Sequence, residues 1–128
     1  MSFSKIIIGL TLLLILGSGV AVAGVNSPYK AILTCGFSGS HMNILACFSD
    51  TDLKLTNNGK AGVYKIYNIS QLGQEYSDGF HINLSEEFTI FAQNSQENLV
   101  LGITVYNASG KQVYQDEVGK WGVINVGN

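Results

Sequence analysis

Hydrophobic and polar positions alternate most cleanly over residues 88–118. Residues 88–93 are rich in β-favouring side chains and predict a strand, and the polar residues 94–98 predict a loop. Residues 99–106 are apolar on both faces, with β-branched and aromatic side chains. So short a run fits a strand covered on both sides better than a helix. Residues 107–110 predict a turn with Gly110 at positive φ, and residues 111–118 return. With Asn107 opposite Lys111, this turn sets Val105 against Val113 and Tyr106 against Gln112. Side chains alternate along strands, so Leu99, Leu101, Ile103, Val105 and Val113 are expected on a core face. Thr104, Tyr106, Gln112 and Tyr114 are expected on the other.

The rest of the chain carries the same signature. Residues 29–36 read as a strand. Residues 53–56, closed by Asn57, Asn58 and Gly59 and answered by residues 62–68, read as a hairpin. Residues 70–79 read as irregular, with room for one helical turn. Residues 80–84 alternate, and residues 123–126 give a last strand after Trp121. Residues 44–48 are ambiguous. His41, Ile44, Leu45 and Phe48 have helical spacing, whereas a strand would bring Cys47 across a hairpin to Cys35, and the strand is the preferred reading. The sum is an all-β chain of about seven to nine short strands, expected to form a single-domain antiparallel β-sandwich of two sheets or a small barrel. An immunoglobulin-like bridge between sheets does not fit, because Cys35 and Cys47 are too close in sequence.

Residues 1–23 stand outside this pattern. Lys5 precedes an apolar run over residues 6–16, and Ala21, Val22 and Ala23 lead into Gly24. Small residues at such an end suit a signal peptidase, so residues 1–23 are expected to be a signal peptide cleaved after Ala23, leaving residues 24–128 as the single β-sandwich domain. The alternative is an uncleaved anchor, for which the apolar span is barely long enough. Export makes the two cysteines, Cys35 and Cys47, a disulfide pair. The protein is then expected to be secreted or periplasmic.

Charge narrows the partners. There is no arginine. Beyond residue 23 the chain has six lysines and nine acids, 6 − 9 = −3. Such a chain is a poor binder of phosphate backbones and of anionic membranes, so neither nucleic acid nor, after cleavage, a membrane is the expected partner.

Candidate chemistry is sparse. Gly36-Phe-Ser-Gly-Ser40 lacks the closing glycine of a nucleophile elbow. Asp50 and Asp52 lack the later ligands of a calcium loop. Glu86 and Glu87, if in a strand, point to opposite faces. His41 and His81, with the cysteines, match no zinc spacing, and no metal or cofactor is expected. His81 alternates with Phe80 and Ile82 and reads as a surface or hydrogen-bonded residue. Asn68, Asn83 and Asn107 begin glycosylation acceptor triplets, which matter only in a eukaryotic secretory route.

The expected function is therefore non-enzymatic: a protein-interaction module at the envelope or outside the cell, such as an inhibitor, exclusion factor or envelope accessory protein. One alternative is a carbohydrate-binding module using Tyr67, Tyr106, Tyr114 and Trp121, because tyrosine offers contact area with a polar tip. Another is a small secreted hydrolase built on His81 and nearby acids.

Overall fold

The computed structural model describes residues 27–128 apart from Gly39. The predicted signal peptide, its cleavage after Ala23 and the new terminus at Gly24 lie outside the described residues. Among the described residues nine strands follow in order: β1 (Tyr29–Gly36), β2 (Leu53–Asn57), β3 (Lys60–Tyr64), β4 (Gln74–Tyr76), β5 (Gly79–Leu84), β6 (Phe88–Gln93), β7 (Val100–Asn107), β8 (Gln112–Val118) and β9 (Val123–Gly127). They form two antiparallel sheets, one ordered β4-β5-β1-β7-β8 and the other β3-β2-β6-β9. This is the β-sandwich that the alternation predicts. Among the described residues no helix is long and apolar enough to cross a membrane.

One core lies between the sheets. Alternate residues of the central strands enter it, with Ala31 and Leu33 from β1 and Ile103 and Val105 from β7 facing Leu53, Ile90 and Ile124 from the other sheet. The period of two explains this, since every second side chain leaves the pleat on the same side. Tyr29 and Phe88 meet edge to face across the sheets, with ring centroids 5.5 Å apart.

Local turn chemistry works as predicted in two hairpins. Asn58 and Gly59 both have positive φ (54° and 78°), the two-residue loop whose twist matches the strands it joins. Gly110 has φ 84°, and the Asn107 N–H donates to the Lys111 carbonyl at 2.9 Å.

The second hairpin departs from the predicted register one residue later. Tyr106 does oppose Gln112, but Val105 opposes Tyr114 rather than Val113, with a bulge between. Tyr114 therefore lies on the face of Val105, not on that of Tyr106. The physical reason lies in what the slip buries. Val113, Tyr114 and Val118 now pack against the core, while Gln115 and Glu117 turn outward. The uninterrupted register would have pointed Gln115 and Glu117 into the core instead. Burial raises the Tyr114 hydroxyl above the ordinary tyrosine range, helped by the neighbouring Asp116 carboxylate. Val105→Ala is expected to cost about 1–3 kcal/mol. Tyr114→Ala should cost clearly more than Tyr106→Ala, because only Tyr114 packs on the core. Urea melts of the three variants check this ranking, and equal losses at the two tyrosines would contradict the bulged register.

Three other expectations are corrected. Residues 44–48 form a 3-10 turn (Ile44–Phe48), not a strand. The Asn43 side chain caps it by accepting from Leu45 N–H at 2.8 Å, and the turn buries Ile44, Cys47 and Phe48 together, which alternation could not do. The return strand expected to reach residue 68 stops at Tyr64. Asn68 folds back to accept from Lys65 N–H at 2.7 Å, and Ile66 and Tyr67 are left exposed. The stretch read as irregular does hold one helical turn, a 3-10 turn (Ile69–Gln71), but strand β4, whose three residues are all exposed, follows it.

Candidate functional site

The outer face of the five-stranded sheet carries the candidate site. Leu33 and Cys35 point into the core, so Ile32 and Thr34 of β1 point out. Thr34 lies opposite Gly102 of β7, which lies opposite Glu117 of β8. The next row runs from His81 of β5 through Ile32 and Thr104 to Gln115. Glycine keeps the floor low. A Cβ on Gly102 would sit 2.7 Å from Thr34 Oγ1, and one on Gly79 would sit 2.5 Å from Ile32 Cγ2. Gly79 also has φ 143°, a conformation that side-chain-bearing residues avoid.

The result is an open groove of about 600 Å³. Thr34, Gly102 and Thr104 line its floor. Ser77 and Asp78, from the β4–β5 turn, stand at one side, Gln115 and Glu117 at the other, and Phe37, Ser40 and His41 close one end. Phe37 is 60% exposed. Among the described residues no lysine lines the groove. Among the described residues none hydrogen-bonds to the side chains of Thr34, Ser77, Thr104, Gln115 or Glu117.

The disulfide loop positions the closed end. Cys35 and Cys47 are bridged, 12 residues apart in sequence, with both side chains fully buried. This is the staple that the cysteine count predicts. Within the loop, Cys35 N–H donates to His41 Nδ1 at 3.0 Å. That fixes the tautomer with hydrogen on Nε2, which donates to Glu75 Oε2 of β4. Glu75 Oε1 accepts from Ile44 N–H at 3.0 Å. His41 is thus a clasp that ties the edge strand to the loop, with both ring nitrogens engaged.

His81 has a different setting. It faces outward, as the alternation predicts, with Nε2 2.7 Å from Asp78 Oδ1 and its ring 4.4 Å from that of Tyr76. The hydrogen bond from His81 holds the Asp78 carboxyl below the usual carboxylate range. A histidine–carboxylate pair is part of a general-base assembly. Among the described residues no hydroxyl or thiol bonds to His81.

The four aromatic residues singled out in the sequence are dispersed. Tyr67 is 77% exposed in the turn after β3. Trp121 is about half exposed between β8 and β9, with φ 62°, its N–H donating to Asn94 O at 2.6 Å. Tyr106 lies on the outer face of the five-stranded sheet, opposite Lys30 and Gln112. Tyr114 lies on the core side. The structure does not bring these four into one surface. The groove residues were missed because threonine, serine and glycine are individually bland. The available signal was Gly102, a glycine within a mostly apolar strand, which marks a close approach.

Comparison with known protein families, with curated proteins and with solved structures finds no match to this chain.

Proposed function

We propose that this chain is an exported, non-catalytic binding protein acting at the cell envelope or outside the cell, and that it meets its partner through the groove on the five-stranded sheet. One observation carries the reading: the groove gathers side chains with unused hydrogen-bonding capacity over a floor kept low by glycine. Polar groups converging in a concave site are what ligand recognition uses. Export is supported by the buried disulfide, a bond that persists in oxidising compartments, and by the signal-like pattern of residues 1–23. A binding role rather than catalysis is supported by the state of the histidines, His41 serving as a clasp and His81 held against Asp78.

Thr104→Tyr tests the reading. It places a strand-compatible ring in the groove without touching the core. The purified protein with its disulfide intact, immobilised and exposed to an envelope extract of the producing cell, should retain a component above a blank support. The variant should retain at least about tenfold less while keeping the native melting temperature. No retained component, or equal retention by Thr104→Tyr, would remove the proposal.

A further inference from the structure

We infer that the groove takes a neutral oligosaccharide, an assignment that rests on the binding role proposed above. The polar groups on its floor and sides are Thr34, Ser77, Thr104, Gln115, Asp78 and Glu117. Hydroxyl and amide groups both donate and accept, and carboxylates accept through two oxygens. That mixture matches sugar hydroxyls, each of which is also donor and acceptor. The Phe37 ring, 60% exposed at the closed end, supplies an apolar surface for the C–H face of a pyranose.

The spacing of the carboxylates decides between a sugar and a cation. Asp78 and Glu117 stand on opposite sides of β1 and β7. They are about three strand spacings apart, roughly 14 Å. No single ammonium group reaches both. Asp78 is already bonded to His81, which fixes its direction. Among the described residues its second oxygen makes no bond to another side chain, and the hydrogen bond from His81 holds the carboxyl below the usual carboxylate range. Glu117 alone would be a weak, solvent-screened site for a lysine. Separated acceptors with hydroxyl donors between them suit a ligand that spreads many small dipoles along the groove. That no lysine lines it among the described residues argues against phosphorylated or sulfated sugars, which need cationic partners.

Titration calorimetry with neutral trisaccharides of hexose and of N-acetylhexosamine tests the inference, with trilysine as the cationic probe. At least one neutral trisaccharide should bind saturably, with affinity changed less than about twofold between low and high salt. Glu117→Ala and Phe37→Ala should each weaken it about tenfold or more, the scale of one charge-assisted hydrogen bond or one stacking contact. Both residues are exposed, so both variants should keep the native melting temperature. Thr104→Tyr should abolish binding. Three outcomes would overturn the inference: no trisaccharide bound, binding unaffected by these variants, or salt-sensitive binding of trilysine alone. If no trisaccharide binds while Thr104→Tyr still loses a protease-sensitive component of the extract, the binding role stands and only the sugar assignment falls.

Discussion

Replacing Asn94 by leucine is expected to lower stability by about 3–5 kcal/mol, more than any single change on the outer faces. Asn94 is fully buried in the crossing from β6 to β7, where the chain passes from one sheet to the other. Its amide nitrogen donates to Leu99 O at 2.8 Å and to Val118 O at 3.2 Å, and its amide oxygen accepts from Gln96 N–H at 2.8 Å. Its own backbone joins the β8–β9 turn, donating to Gly122 O and accepting from Trp121 N–H. Leucine has similar volume but leaves three main-chain groups without their partners, and each such loss costs about 1–3 kcal/mol when buried. Asn94→Asp keeps only the acceptor. A carboxylate against two carbonyl oxygens favours the protonated acid, so its folded pKa would lie above the unfolded value of about 3.9. That variant should then recover stability as pH falls from neutral toward 4, where the acid regains a donor. Denaturant melts across pH measure both effects. A loss under about 1 kcal/mol for Asn94→Leu would show that water replaces these bonds and that the crossing is not locked.

Much of the fold is legible where local pattern and burial agree. Strand β6 and strand β1 follow directly from alternation, because both lie inside their sheets and bury every second side chain. The Asn58–Gly59 loop follows from the few residues that tolerate positive φ at both positions. Legibility fails where a distant partner decides. Asn94 and Ser95 read as polar loop, yet both are buried, because the crossing needs internal partners for its main chain. Ser95 accordingly bonds to Cys47 O through its N–H at 2.9 Å and its hydroxyl at 3.0 Å. Strand β4 shows no apolar pattern, since it is held by pairing with β5 and by the Glu75–His41 clasp. The bulge in β8 depends on which of two alternating sets the core selects, and turn chemistry alone does not contain that choice.

The candidate site is less legible than the fold for the same reason. Its residues come from β1, the disulfide loop, the β4–β5 turn, β7 and β8. Only the order β4-β5-β1-β7-β8 makes them neighbours. The tyrosines were visible as residue types, but their faces depend on register. Tyr114 illustrates this, because one bulge moves it from the face of Tyr106 to the core side.

Removing the Cys35–Cys47 bridge by Cys35→Ala with Cys47→Ala should cost about 3 kcal/mol, the chain-entropy value for a closed loop of about a dozen residues. For a domain of this size that is roughly 10–20 °C in melting temperature. The bridge joins the end of β1 to the 3-10 turn, and the intervening loop carries Phe37, Ser40 and His41 at the end of the groove. Two devices thus hold one rim: the covalent link, and the His41 clasp from Cys35 N–H to Glu75. The bridge acts mainly by restricting the unfolded chain, whereas the clasp acts in the folded state by fixing where β4 meets the loop. Glu75→Gln should therefore lower the melting temperature less than loss of the bridge. It should still weaken ligand binding at temperatures where both proteins are folded, because the clasp sets the position of the rim. Comparing melts with binding isotherms for the two variants separates the roles. If the bridge-free chain melts with the native protein, the loop is already ordered in the unfolded ensemble and the entropic account of the staple is wrong. If Glu75→Gln binds as the native protein does, the clasp serves the fold alone and the rim is positioned by the disulfide.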